Sequence, residues 1–71
     1  MDKYILTKRE KEVFKLLVTN KTTKEISEKL NISEKTVRNH ISNVIGKMGC
    51  SSRTQAILEL LRHNVLKIMW V

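Results

Sequence analysis

Apolar residues recur at helical spacing in four separate stretches of the chain. The first two stretches contain Val13, Leu16 and Leu17, with Phe14 beside them, and then Ile26 and Leu30. The later stretches contain Val37, Ile41, Val44, Ile45 and Met48, and then Ala56, Ile57 and Leu60. A repeat of three or four residues places such side chains on one face of a helix. No stretch alternates apolar and polar residues over a length sufficient for a paired β-strand, so the pattern predicts an all-α fold of four helices.

Capping residues precede each of these stretches. Patterns of the form S/T-x-x-E/Q, in which the hydroxyl caps an early backbone N–H and the acid or amide reaches back, begin at Thr7, Thr22 and Ser52. Ser33 precedes the third stretch, and Gly49 follows it where a left-handed residue ends a helix. The predicted helices run from Thr7 to about Thr19-Asn20, from Thr22 to Leu30, over about 34–48 and over about 53–63.

The link between the second and third helices is short. Only Asn31 and Ile32 separate Leu30 from the cap Ser33, which favours a steep crossing over an antiparallel pair. Asn31 tolerates positive φ better than most residues other than glycine. This is the layout of a helix-turn-helix, in which the first helix crosses the DNA backbone and the second is presented outward.

The third helix carries polar side chains on the side away from its apolar residues. Arg38 offers a planar fork for guanine, Asn39 pairs with adenine, and Ser42 can donate or accept. Lys35 and Asn43 lie toward the two ends of this face, where phosphates would pass. An ordinary solvated helix face is the alternative. The face lacks aromatic residues, has a single acid and follows a helix-turn-helix link, so we predict double-stranded DNA as the partner.

The net charge agrees with that partner. Fourteen Lys and Arg residues against seven Asp and Glu residues give a formal charge of +7 over 71 residues. Such an excess favours nucleic acid first and an anionic membrane surface second, and a charge that serves only solubility is the alternative. The chain has no proline and two glycines, and we expect residues 1–71 to form a single helical domain.

The sequence gives little support for a disulfide, a metal site, catalysis or a membrane span. The single cysteine, Cys50, excludes an intramolecular disulfide and, with two distant histidines, does not make a zinc site. A Gly-rich phosphate loop, clustered carboxylates and a Ser/His/Asp set are all missing, so we expect no enzyme, no cofactor and no metal. No segment approaches the roughly 20 apolar residues of a membrane span, and no signal peptide begins the chain. We predict a cytoplasmic protein without membrane association.

The fourth helix has more apolar surface than one docking face requires. Leu58 and Leu61 widen its apolar arc beyond the roughly 100° of an ordinary surface helix, and Val65 continues that edge. A twofold partner would cover the extra surface, so these three residues form the candidate homodimer interface. The alternative is that Leu58 or Leu61 packs under residues 4–5. The apolar tail, residues 65–71, has no role assigned from the sequence.

Four motifs follow one another in fixed order between residues 5 and 62. They read Leu6-Thr7-Lys8-Arg9-Glu10-Lys11-Glu12-Val13, Thr23-Lys24-Glu25-Ile26, Leu30-x-Ile32-Ser33-x-x-Thr36-Val37-Arg38-x-His40 and Asn43-Val44-x-x-Lys47-Met48-Gly49, with Arg53 beyond them. In the residues and the order of these motifs, the chain resembles the LuxR-type DNA-binding domain. In size it is similar to a small stand-alone sporulation regulator of that family. The resemblance implies a four-helix fold whose third helix enters the major groove and whose fourth forms a homodimer.

The resemblance also implies roles for single residues. The base-reading positions would be Arg38, Asn39 and Ser42. Positions that contact backbone phosphates would be Thr23, Lys24, Lys35, Thr36, Asn43 and Lys47. The sequence departs from many relatives at Asn20-Lys21, where they have a glycine, and we expect Asn20 to take the same conformation.

Together these observations predict a sequence-specific transcription regulator that acts as a homodimer, with RNA polymerase as a candidate further partner. One alternative keeps the fold but makes the chain the output domain of a larger response regulator or quorum sensor. The position of Met1 just before the first motif favours a stand-alone protein. A second alternative is a helical protein-interaction module, which would not need the polar face of the third helix.

Overall fold

Four α-helices make up the structure. The computed structural model describes residues 6–63 and Leu66, and within that part of the chain no strand occurs. The helices are α1 (Lys8–Val18), α2 (Thr23–Leu30), α3 (Glu34–Met48) and α4 (Arg53–Arg62). The predicted all-α fold is confirmed, and each helix begins and ends close to its predicted limits.

Two complete capping boxes begin the first two helices. The Thr7 hydroxyl accepts a hydrogen bond from the backbone N–H of Glu10 at 3.1 Å, and Glu10 Oε1 accepts one from the backbone N–H of Thr7 at 2.9 Å. Thr22 and Glu25 make the same two bonds at the start of α2. Each box satisfies backbone donors that a helix start leaves without partners, which is worth about 1 kcal/mol for the N-cap alone.

The box predicted at the start of α4 differs from the others in one bond. Ser52 caps the backbone N–H of Gln55 at 3.2 Å, as predicted. The Gln55 side chain, however, accepts from the N–H and the hydroxyl of Ser51 rather than from Ser52. The backbone explains the difference, because Ser52 has φ −155° where Thr7 has φ −68°. The more extended backbone of Ser52 places the N–H and the hydroxyl of Ser51 near the side-chain amide of Gln55.

Three residues at helix ends adopt the left-handed conformation predicted for them. Asn20 has φ 66°, Asn31 has φ 58° and Gly49 has φ 68°. Asn31 lets α3 begin soon after α2 ends, and the N–H of Ile32 closes the turn on the carbonyl of Ser27 at 3.0 Å. The α2–turn–α3 unit is therefore a helix-turn-helix whose link is closed by a backbone hydrogen bond.

All four helices contribute to one hydrophobic core. Its largest fully buried side chains are Phe14, Ile26, Leu60, Leu66, Val13, Val37 and Val44. Burying a side chain of this kind contributes roughly 1.5–3 kcal/mol, which offsets the entropy lost on folding. Leu66, from the apolar tail, is held there in part by a bond from its N–H to the carbonyl of Leu60 at 3.2 Å. Leu16 and Leu30, which the apolar pattern places on the inner faces of their helices, are half-buried and line a groove between α1 and α2.

None of the helices within residues 6–63 combines the length and the apolar character needed to cross a membrane.

Candidate nucleic-acid interface

The outer face of α3 is open to solvent along its length. Val37, Ile41 and Val44 point into the core with at most 3% of their surface exposed. The predicted DNA-facing side chains of this helix are exposed on the other side: Lys35, Arg38, Asn39, Ser42 and Asn43. Because the inner side alone docks the helix, these outer side chains carry no packing role. The structure thus brings together Arg38, Asn39 and Ser42 on one accessible surface.

The starts of α2 and α3 lie side by side at one end of this surface. The hydroxyl of Thr23 donates to Glu34 Oε1 at 3.2 Å, which joins the first residues of the two helices. The exposed lysines that follow them, Lys24 and Lys35, are therefore close to the same edge of the molecule. A helix start carries partial positive charge and unpaired N–H groups, both of which suit a phosphate.

Thr36, another predicted phosphate position, takes part in the cap of α3. Its backbone N–H donates to the Ser33 hydroxyl at 3.0 Å, and its own hydroxyl lies 2.9 Å from that oxygen. The side chain is half-buried rather than exposed. Its position in the first turn keeps it at the edge occupied by Thr23 and Lys35.

Arg38 is held by an acid of its own helix. Arg38 Nη1 lies 3.7 Å from Glu34 Oε1, one turn earlier, and 57% of the arginine side chain is exposed. An ion pair this exposed contributes little to stability, and it restrains the guanidinium without burying it.

Lys47, predicted to contact phosphate, is bound to the buried Glu10 of α1. Its Nζ donates to Glu10 Oε1 at 2.6 Å, and the glutamate side chain is only 4% exposed. Burial raises the pKa of Glu10, but the hydrogen bonds from Lys47 and from the backbone of Thr7, with the positive charge of Lys47, lower that pKa by more. The contact with phosphate stays a prediction, and Lys47 would have to make it while holding this carboxylate.

This ion pair was not expected from the sequence, although one signal was present. Glu10 lies three and four residues before Val13 and Phe14, which places it on the buried face of α1. An acid at such a position requires a cationic or hydrogen-bonding partner. Nothing in the local sequence indicates that the partner comes from the end of α3.

The fourth helix presents an apolar side chain to solvent. Leu58 is 61% exposed and is the one large hydrophobic residue within residues 6–63 that is so exposed. Leu61, from the same predicted interface, is half-buried and packs against the core. Val65, and the residues 4–5 that were the alternative cover for this surface, lie outside the described residues.

Across residues 6–63 and Leu66, no group of three or more His, Cys, Asp or Glu side chains could hold a metal ion. Cys50 is half-buried and packs against the core.

Residues 4–60 match the family described as bacterial regulatory proteins, luxR family. The chain is a member of that family. It is a DNA-binding transcription regulator of the GerE type, and the family is not a class of enzymes.

Two relatives of this chain differ in length. The chain is 62% identical over 66 residues to the spore germination protein GerE of Bacillus subtilis (strain 168), covering 93% of this chain and 89% of that protein. It is 45% identical over 65 residues to the transcriptional regulatory protein DegU of Brevibacillus brevis, covering 92% of this chain and only 28% of DegU. The matching region is thus nearly all of one relative and a minor part of the other.

Solved structures match the fold as well. The structure of the transcription factor GerE superimposes with a TM-score of 0.86 at 64% identity, over 87% of this chain and 92% of that one. The complex of Vibrio cholera VqmA with a ligand and DNA matches with a TM-score of 0.79 at 34% identity, over 89% of this chain and 28% of that one. The fold is the LuxR-type helix-turn-helix.

Proposed function

We propose that the chain binds duplex DNA sequence-specifically as a homodimer, with α3 as the recognition helix in the major groove. The exposed polar face of α3, whose opposite side is fully docked in the core, is the observation that carries this proposal. The major groove admits a single α-helix, and arginine and asparagine side chains match its base edges. VqmA, a relative with the same fold, has been solved with DNA.

Within that complex, Arg38, Asn39 and Ser42 would read bases. The residues that would contact phosphates are Thr23, Lys24, Lys35, Thr36, Asn43 and Lys47. The two groups have different consequences, because base contacts discriminate between sequences while phosphate contacts strengthen binding to all of them. Neutralising several phosphates would also make the affinity fall steeply with salt concentration.

The homodimer would be built on α4. Leu58, Leu61 and Val65 are the proposed contacts, and the exposure of Leu58 supports the first of them. A twofold dimer would place two recognition helices roughly 34 Å apart, one turn of duplex, and would bind an approximately palindromic site.

We infer that residues 1–71 act as one DNA-binding domain in the cytoplasm, and that RNA polymerase is a further partner. GerE carries the name of a spore germination protein, and we extend that setting to this chain as a regulator of sporulation. The alternative of an output domain is supported by the match to part of DegU. The complete reading frame distinguishes the two.

Selection from a randomised duplex library tests the proposal. The protein should enrich a sequence with two related half-sites one helical turn apart, and footprinting should show protection centred on both. Arg38→Ala should lower the affinity for that duplex by about 1–3 kcal/mol and relax the preference at one base pair per half-site. Gel-shift titrations on the selected duplex and a scrambled duplex provide the measurement.

Lys24→Ala is the matched control, since it removes an exposed cation without touching the outer face of α3. It should weaken both duplexes alike and reduce the salt dependence by about one phosphate contact. An equal loss on both duplexes for Arg38→Ala, or the failure to enrich any sequence, would contradict sequence reading by this face.

A further inference from the structure

Glu34 is the single acid of α3, and its carboxylate lies between the Thr23 hydroxyl and the Arg38 guanidinium, two groups with proposed roles in DNA binding. Glu34 Oε1 accepts the hydroxyl hydrogen of Thr23 at 3.2 Å and lies 3.7 Å from Arg38 Nη1. One oxygen therefore connects the start of α2 with the arginine one turn along α3. Thr23 orients the carboxylate, and the carboxylate restrains the guanidinium.

Glu34 lies in the first turn of α3, where the helix dipole favours an acid, but this accounts for the charge and not for its contact with Arg38. The side chains of Glu34 and Arg38 are 44% and 57% exposed, and an ion pair in that environment contributes little to folding. A negative charge on a surface that faces phosphates also weakens attraction to DNA of any sequence. The acid thus weakens binding to DNA of any sequence, while its contact with Arg38 contributes little to the fold.

We propose that Glu34 is a specificity-determining residue that restricts what Arg38 can bind. On a matching site, Arg38 directs its fork at a base edge while a remaining N–H stays near the carboxylate. On other DNA, the arginine would have to swing to a phosphate, which separates it from Glu34 and brings two anions together. The carboxylate therefore penalises non-specific binding more than specific binding. This inference rests on the proposed function of α3.

Glu34→Gln tests the inference with little change in shape. The amide oxygen can still accept from Thr23, so the link between the helices is retained while the charge is removed. The probes are the duplex selected by the wild-type protein and a scrambled duplex of equal length, and fluorescence anisotropy measures the dissociation constant for each. The variant should bind the scrambled duplex roughly threefold to tenfold more tightly, with a smaller change on the selected duplex. The ratio of the two constants should fall accordingly.

Glu12→Gln is the matched control for net charge. Glu12 is 39% exposed and pairs with Arg9 at 3.4 Å on α1, so its replacement also removes one carboxylate from a comparable exposed ion pair. It should leave the ratio of the two dissociation constants unchanged. Circular dichroism melting of each variant checks that the fold is intact.

The Arg38→Ala background separates this inference from the proposed function. In that background Glu34→Gln should no longer alter the ratio, because the residue it restrains is gone. A ratio unchanged by Glu34→Gln in the wild-type background, whether both affinities rise together or neither moves, overturns the inference alone. A ratio unchanged by Arg38→Ala itself overturns the reading role of Arg38, and the proposed function with it.

Discussion

Glu10 places a carboxylate inside the fold, where it joins two distant parts of the chain. It caps α1 by accepting from the backbone of Thr7, and it binds Lys47 at the end of α3. The helix α3, which carries the proposed DNA-facing side chains, is thereby tied to α1 by a charged contact, in addition to its apolar packing. Removing Lys47 would leave the buried carboxylate without its cationic partner. The stability lost in this way exceeds the net stability that the intact pair contributes.

The Glu10–Lys47 pair should make stability depend on pH. The folded-state pKa of Glu10 is lowered from its ordinary value of 4.5, so the charged carboxylate stabilises the fold above about pH 4.5. That contribution is lost as the pH falls through the lowered pKa. Lys47→Ala should reduce the free energy of unfolding by about 1–3 kcal/mol at pH 7, and the deficit should shrink below pH 4.5. Urea denaturation across pH 3–7 measures both effects.

Lys15→Ala serves as the comparison, since it removes an exposed lysine from α1. Its free energy of unfolding should follow that of the wild type at every pH. A deficit for Lys47→Ala that stayed constant down to pH 3 would show that Lys47 stabilises the fold through packing rather than through the charge of Glu10.

Single residues differ in how well the sequence predicts their surroundings. The exposure of Arg38, Asn39 and Ser42 was predictable, because helical spacing alone separates the two sides of α3. The contacts of Glu10 with Lys47 and of Glu34 with Thr23 were not. Their partners lie 37 and 11 residues away, and no rule of local spacing pairs residues at those separations.

At the scale of elements, the end of α3 depends on a glycine with a left-handed backbone. Gly49 has φ 68°, and the N–H of Cys50 beyond it returns to the carbonyl of Ile45 at 3.1 Å. An L side chain at that φ is strained by contact with its own backbone. Gly46 lies inside the same helix, and beyond the backbone of that helix a Cβ placed there would meet no atom within 4 Å.

Alanine substitutions at the two glycines should therefore act in opposite directions. Gly49→Ala should lower the free energy of unfolding by about 1 kcal/mol, because the left-handed conformation disfavours alanine. Gly46→Ala should raise it by about 1 kcal/mol, because alanine is the better helix former. Equilibrium urea denaturation of both variants is the measurement. A shift of the same sign in both would contradict the described end of α3.

Helix limits and caps were largely predictable because they depend on neighbouring residues. Thr7, Thr22 and Ser33 cap as their patterns predict, and Asn31 takes the predicted turn conformation. The exception, the Gln55 bond to Ser51, depends on the φ of the cap residue, which the pattern does not specify. The partial burial of Leu16 and Leu30 depends on how α1 meets α2, a property of packing rather than of either helix.

At the scale of the whole molecule, the exposed leucine of α4 is the residue that tests the proposed homodimer. Leu58→Ser should weaken the proposed homodimer, since each leucine fully buried at an interface is worth roughly 1.5–3 kcal/mol and twofold symmetry removes two of them. The dimer dissociation constant should rise roughly tenfold or more, which sedimentation velocity over a concentration series can detect. Binding to a single half-site should persist.

Val18→Ser is the control, because it also removes an aliphatic side chain, here from a half-buried position on α1 outside the core. It should leave the association state unchanged. A wild-type protein that stays monomeric throughout the series, or a Leu58→Ser variant that dimerises as well as the wild type, would contradict an interface on α4.

The division of α3 into a docked side and a solvent side has a practical consequence. The hydrophobic core makes no demand on the identity of Arg38, Asn39 or Ser42, since the helix is anchored by the apolar residues of its inner side. Under the proposed function, exchanging a few of these exposed residues should therefore change the preferred DNA sequence without any change in the hydrophobic core. Grafting the corresponding outer residues of a paralogue onto this chain should retarget it to another promoter while its melting temperature stays nearly constant.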